Sequence, residues 1–386
     1  MIKKLFRYYD YSLLVVMLLL LGFGLIMVYS AGSVWADLVL QKPSNYFFVR
    51  QLLWCLLSVP IGIFGMLFPY QAYRSFVKPL IIFSFFLLIL LYFAGKTVNS
   101  AQSWFSLGTV SFEPAEIVKI TLIFYMASVY SNKQKSISDF KTSVLPPLLI
   151  VMVFFILVAM QPDLGTALIL IFISVVMVLC SGLKIRHLFF LGVSTCGFIG
   201  LMFVKFLSHY QTARFQAAYD PFSVANTTGR QLINSYIAIA AGGLTGRGLG
   251  QSIEKTGFLP EPQTDFIIAI IGEELGLIGI LFVILCIAYL VFKGFVTAIR
   301  CKDVFGSLLA IGISSMLAIQ TFVNLSAATG LIPITGVTLP FVSYGGSSLL
   351  IMIFSICVLM NISAFVNMRR SSIRTEGERE NVTTLY

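Results

Sequence analysis

The chain has 386 residues, of which 58% are hydrophobic and only 11% charged, with a formal net charge of +10 and a mean hydropathy of +0.94. Too few polar residues are present to cover a soluble globule of this size, which leaves a bilayer as the solvent. The basic residues are dispersed instead of gathered into one cluster, which argues against nucleic acid as a partner.

In chain order, the first apolar run extends from Tyr11 to Ala31 and follows the basic stretch Met1 to Arg7. It exceeds the roughly 7 to 15 apolar residues of a cleavable signal and suits a hydrocarbon core of about 30 Å, so it reads as a retained span. Further spans are predicted near residues 47–68, 79–95, 115–131, 144–160, 165–183, 187–206, 265–292, 303–325 and 346–365. The expected fold is therefore an all-α polytopic integral membrane protein of about ten transmembrane helices, one membrane domain over residues 1–368. A cytoplasmic N-terminus places most of the lysines and arginines of the short loops inside, and both termini are then cytoplasmic. A large extracytoplasmic loop, about residues 208–264, separates spans seven and eight, and its stretch from Gly229 to Gly250 reads as an amphipathic or re-entrant helix ending in glycines. The last residues, 369–386, are polar and charged and read as a disordered cytoplasmic tail. Six cysteines lie in apolar spans or a basic inner loop, where no disulfide framework is expected. His187 and His209 stand too far apart in sequence to suggest a metal site.

Charged side chains at membrane depth cost several kcal/mol unless paired or wet, so each one is a candidate for function. Glu116 and Lys119 are three residues apart on the fourth span, either a structural ion pair or part of a substrate cavity. Asp265 opens the eighth span after Pro260, Pro262 and Thr264. It could cap that helix, or at the wet edge of a cavity it could accept a proton from an attacking hydroxyl. Glu273 and Glu274 follow about two turns deeper, and at least one of them should face inward. Asp163 in QPDLGTA and Glu113 in SFEPAE border the same face as caps, loop anchors or substrate contacts. The external cations Arg214, Arg230, Arg247 and Lys255 could clamp a diphosphate or simply be solvated. The segment from Thr329 to Leu350 combines prolines and glycines with Ser343, Tyr344 and other hydroxyl residues, so it cannot be one helix; it either lines a cavity or forms a structural loop.

The strings QPDLGTA, PEPQTDFIIAIIGEELG and TGLIPITGVTLPFVSYGGSS, in this order, resemble the signature blocks of the SEDS family, which comprises FtsW, RodA and SpoVE. The resemblance covers roughly Asp10 to Phe365, and the opening segment with AQSWFSLGTVSFEPAE is most similar to the division-type branch of Gram-positive bacteria. It departs from the family where Gln263 replaces the usual His and Ile268 stands at or near a usual Phe, which questions any proton role for that His and leaves positioning.

The resemblance implies an inverting glycosyltransferase of the bacterial cytoplasmic membrane that polymerises lipid II on its outer face and releases undecaprenyl diphosphate, in cell division or shape maintenance. Asp265 would be the general base, with Glu116, Lys119, Asp163, Arg214, Arg247, Lys255, Thr264, Glu273, Ser343 and Tyr344 around the substrate. A divalent cation, Mg or Mn, would assist the diphosphate with no organic cofactor, although no metal motif is visible. The implied partners are a class B penicillin-binding protein transpeptidase, other divisome or elongasome membrane proteins, and membrane lipid. Two rival readings are a lipid II flippase, which should hold its carboxylates near the midplane, and a noncatalytic scaffold, in which Asp265 would be dispensable.

Overall fold

The computed structural model describes residues 5–98, 101–107, 110–136, 139–183, 197, 200, 209–225 and 227–383. Nine of the ten expected spans fall on helices: α1 (Tyr11–Leu38), α2 (Tyr46–Leu67), α3 (Tyr73–Ala94), α4 (Pro114–Asn132), α5 (Leu145–Ala159) and α6 (Leu164–Leu179) in the first half. After α7 (His209–Tyr219) and α8 (Arg230–Gly242) come α9 (Ile267–Arg300), α10 (Val304–Ala328) and α11 (Gly346–Thr383). Among the described residues seven helical segments are long and apolar enough to cross a membrane, and α6 is a shorter apolar helix. Apart from residues 197 and 200, the seventh expected span, 187–206, with His187, lies outside the described residues, as does the side chain of His209.

Local signals place the helix ends. Asp10, Asp163 and Asp303 cap α1, α6 and α10 by accepting from the amides of Ser12, Thr166 and Gly306. Pro114 occupies the first turn of α4, where its missing N–H costs nothing. Helix α11 continues through 369–383, over the segment expected as a disordered tail, in a run of helix-forming Arg and Glu.

The sequence reading contained no strand, yet Lys96–Val98 (β1), Ala101–Leu107 (β2) and Val110–Phe112 (β3) form an antiparallel meander between α3 and α4, with Phe105 opposite Phe112. Its short alternating run SWFSLGTVSF is brief beside the flanking apolar helices, so the period-2 signal is weak.

Helices α4, α10 and α11 form the buried middle of the bundle, with α1, α2, α3, α5, α6 and α9 packed around them. At the end of the bundle holding Asp10 and Asp303, ion pairs Lys293–Asp10 (2.8 Å) and Arg74–Asp303 (3.1 Å) tie α9 to α1 and α3 to α10. Just inside, Tyr73 stacks on Phe124 and meets Phe354 edge-on, closing the core with aromatic rings.

Two stretches of irregular backbone interrupt the bundle at its other end. In α9, Gly276 adopts φ +66° and ψ −160°, a region closed to residues with a Cβ, and breaks the helix into Ile267–Leu275 and a longer second half. The break strands carbonyls above it and amides below it. The glycine-rich link after α8 satisfies both sets: Arg247 N and Gly248 N donate to Glu273 O and Glu274 O, while Leu277 N and Ile278 N donate to Gly243 O and Leu244 O. A Cβ on Gly242 would overlap the Gly272 carbonyl, so the approach of α8 to α9 requires that glycine.

The second stretch, residues 330–345, joins α10 to α11 and is largely buried. Side chains of neighbouring helices occupy its backbone groups: Asn324 donates to Val337 O, Gln320 to Thr338 O, and Gln51 to Ser343 O while accepting from Gly345 N.

In the middle of the bundle Lys119 Nζ donates to Glu116 Oε1 at 2.8 Å and to Gln320 Oε1 at 2.6 Å, all three being almost fully buried. Lys119→Met leaves the Glu116 charge without its cation and should lower stability by about 3 to 5 kcal/mol. The double variant Lys119→Met/Glu116→Gln should recover most of that loss. Melting midpoints of the detergent-purified proteins check both, and a double variant no more stable than the single one would contradict the pairing.

Candidate active site

Asp265 sits two residues before the first half of α9. The cap position belongs to Phe266, with no side-chain cap, so the carboxylate is not spent on helix capping. It accepts instead from Thr264 Oγ1 at 3.0 Å, while Asn324 Nδ2 donates to the Asp265 carbonyl at 2.8 Å and fixes the main chain. The side chain keeps partial exposure although protein surrounds it on most sides. Burial pushes its carboxyl above the ordinary aspartate value; the Thr264 hydrogen bond, its own backbone amide and the charge of Arg214 pull it back.

Arg214, on α7, stands between this carboxylate and a groove. Its guanidinium donates to Ile334 O at 3.1 Å and lines a cavity of about 630 Å³ between α6, α10 and the irregular stretch 332–335. The walls are almost wholly apolar, and Phe172 and Phe322 are exposed on the flank of the bundle, so the groove opens sideways. An apolar channel with a cation at one end suits an amphiphile with an anionic head. Gly165 lets Thr335 approach α6 there, and the hydroxyl of Thr335 is buried without a partner among the described residues.

A second polar group lies one layer deeper. Asn324 and Gln320, one turn apart on α10, link the Asp265 main chain to the Lys119–Glu116 pair. Glu113 and Asp163 lie close enough to feel the charges of Glu116 and Lys119. Burial raises both carboxyls, reinforced at Glu113 by the negative charges of Glu116 and Asp163; at Asp163 the Thr166 hydrogen bonds and Lys119 oppose it. Asp163 is thus both a helix cap and a member of the cluster. Glu116 Oε2, Gln263 Oε1 and Asn324 Oδ1 are buried acceptors with no partner among the described residues.

The other expected site residues lie elsewhere or are already engaged. Lys255 pairs with Glu274 at 2.7 Å, and Arg247 reaches Glu273 at 3.5 Å. Arg230 donates to Gly257 O at 3.0 Å. Of the four external cations, Arg214 is the one the fold brings to Asp265. Ser343 Oγ accepts from Leu339 N at 2.9 Å and the Tyr344 amide donates to Gln263 O at 2.8 Å, so both residues shape the loop beside Asp265. Gln320 and Asn324 went unnoticed in the sequence, although two amides spaced i, i+4 in an apolar span are a signal of an inward polar face. Arg50, stacked on Tyr46 and bonded to Tyr344, was likewise missed because it sits at a helix start.

Residues 11–368 match the family model of FtsW, RodA and SpoVE, described as "Cell cycle protein". The chain is 47% identical over 389 residues to the probable peptidoglycan glycosyltransferase FtsW of Bacillus subtilis, covering 97% of this chain and 96% of that protein. It is 42% identical to the stage V sporulation protein E of the same organism, covering 92% and 97%. Among solved structures, a chain from a peptidoglycan synthase complex, studied for its structural coordination of polymerization and crosslinking, superposes with a TM-score of 0.76 at 25% identity, covering 93% of this chain and 98% of that one. The rod shape determining protein RodA of Thermus thermophilus superposes with a TM-score of 0.67 at 25% identity over 92% and 96%. With a family match over nearly its whole length and close relatives that it spans almost end to end, the chain belongs to the FtsW/RodA/SpoVE family.

Proposed function

We infer that the chain is a peptidoglycan glycosyltransferase that joins lipid II units into glycan strands at the cytoplasmic membrane. The observation that carries this reading is Asp265: a carboxylate left uncommitted by helix capping, in the field of Arg214, whose side chain lines an apolar groove of about 630 Å³. The similarity to FtsW of Bacillus subtilis favours the division branch.

Both termini are placed in the cytoplasm, so that Asp265, Arg214 and the groove mouth face outside, within a single membrane domain over residues 1–368. The polyprenyl chain of the donor then lies along the groove and its diphosphate meets Arg214. Asp265 takes the proton from the 4-hydroxyl of the acceptor sugar as that oxygen attacks the anomeric carbon of the donor. The new C–O bond forms with inversion as the bond to the diphosphate breaks, and undecaprenyl diphosphate leaves with the electron pair. The orphan acceptors Gln263 Oε1, Asn324 Oδ1 and Thr335 Oγ1 offer partners to sugar hydroxyls.

Mg or Mn is expected to neutralise the leaving group. Among the described residues no three His, Cys, Asp or Glu side chains are grouped to hold one, so a dedicated protein site does not fit and no step is assigned to the ion. A class B penicillin-binding protein transpeptidase is the proposed partner, in keeping with the synthase complex that this chain resembles in structure; other divisome or elongasome membrane proteins would join it.

The test supplies fluorescent lipid II and a divalent cation to the protein purified with its cognate transpeptidase, the latter blocked by a β-lactam. Wild type should give polymer on a glycan gel, while Asp265→Asn and Asp265→Ala should lose about a hundredfold or more in rate while remaining folded. Equal polymer from all three would remove Asp265 as the base, and a wild type without polymer would favour the flippase or scaffold. Arg214→Ala should raise KM for lipid II about tenfold, read from initial rates against substrate, because a charge-assisted contact to the diphosphate is lost. The base must be ionised and its pKa lies above the usual aspartate range, so the rate should fall as pH drops through that raised value and level off above it. Arg214→Ala removes a charge that lowers this pKa and should move the acid limb of the profile to higher pH.

A further inference from the structure

The half-helix Ile267–Leu275 that follows Asp265 is detached from the rest of α9 by the Gly276 break, so its own helix does not hold it in place. What holds it is a clasp at its far end. Glu274 accepts from Lys255 Nζ at 2.7 Å, from Ser30 Oγ on α1 at 2.7 Å and from Ser252 N at 3.4 Å, and Lys255 Nζ also donates to Ser30 Oγ at 3.1 Å. Glu273 accepts from Ser252 Oγ at 2.5 Å, Ile253 N at 2.8 Å and Glu254 N at 3.3 Å. The side chains of Glu273 and Glu274 are 1% and 0% exposed and that of Lys255 6%, so this is an interior lock and not a surface contact.

The clasp closes a ring. The segment 252–266 is pinned at its start to the C-terminal end of the half-helix and runs, through the fully buried Leu259 and Phe266, into the N-terminal end of the same half-helix. Asp265 is therefore held from both directions, and α1 is the outside anchor. Its place relative to Arg214 depends on that ring together with the Asn324 bond to its carbonyl, because no continuous helical ladder crosses the Gly276 break.

We propose that Lys255, Glu274 and Ser30 form a positioning device for Asp265, acting through the half-helix and not by touching substrate. The proposal rests on the assignment of Asp265 as the base of glycan polymerisation. It gives Lys255 a role different from the diphosphate clamp that its residue type suggests.

The test compares wild type, Lys255→Met, Lys255→Arg and the apolar pair Lys255→Met/Glu274→Met, each as the full chain with its transpeptidase. The apolar pair removes both buried charges together and should restore the melting midpoint lost in Lys255→Met. Positioning predicts that this restored pair keeps its KM for lipid II within about twofold while kcat falls by about ten- to a hundredfold, because small misplacements of a reacting group cost that much. Lys255→Arg, which keeps the cation, should recover much of kcat. If kcat in the four proteins merely follows the melting midpoint, or if KM rises while kcat holds, the proposal is overturned. Hydrogen exchange of the same proteins supplies an arm independent of activity. Residues 264–275 should lose protection in both Met variants while α10 and α11 keep theirs, and unchanged protection over 264–275 would also overturn it. A wild type that makes no polymer would count against the assigned reaction, whereas the exchange result would still decide whether the clasp holds the half-helix.

Discussion

The constraint on which this structure turns is that backbone donors and acceptors inside a bilayer must find partners within the protein. Helices meet it by default, and most of the chain is helix. The two places that do not, the break at Gly276 and the buried stretch after α10, draw on buried side-chain amides and on the backbone of a neighbouring link. Gln51, Gln320 and Asn324 serve the loop, and the glycine-rich link after α8 serves the break. Irregular backbone is what allows carboxylates and amides to converge at the end of the bundle opposite Asp10 and Asp303, and the surrounding helices supply side chains to stabilise it.

This division explains why some charged residues are chemical and others architectural. Glu273 and Glu274 end the half-helix before the break and accept from Lys255, Ser30 and the amides of residues 252–254, whereas Asp265 sits at a helix start whose cap belongs to its neighbour. A carboxylate that its local fold does not use remains available to a ligand. Composition alone would rank these three acids alike.

The architecture was largely legible. Runs of about twenty apolar residues mark helices because no other structure hides its backbone in hydrocarbon, and Tyr11, Tyr46 and Val304 begin helices within a few residues of the expected points. The motif order gave the family, and Asp265 stood out because a proline-rich turn delivers it to a helix start. The meander of 96–112 escaped notice since its residues carry too few repeats of the strand period. Pairings escaped too: that Lys255 meets Glu274 and Ser30 follows from the Gly276 break, and a glycine in EELG announces tolerance for a kink without saying which loop fills it. Arg214 and Lys255 look equivalent as external cations, and only tertiary packing sends one to the groove and the other into the interior.

The aromatic and ion-paired closure at the Asp10 and Asp303 end of the bundle bears on bioenergetics. A protein that opens a deep polar recess toward one side of an energised membrane would short-circuit it if the recess reached the other. Here the rings of Tyr73, Phe124 and Phe354 pack together at that end, where ion pairs clip the helix ends. On the proposed reaction, a proton taken up by Asp265 would exchange with the water on its own side, and chain growth would draw on the diphosphate bond of the donor and not on the transmembrane proton gradient.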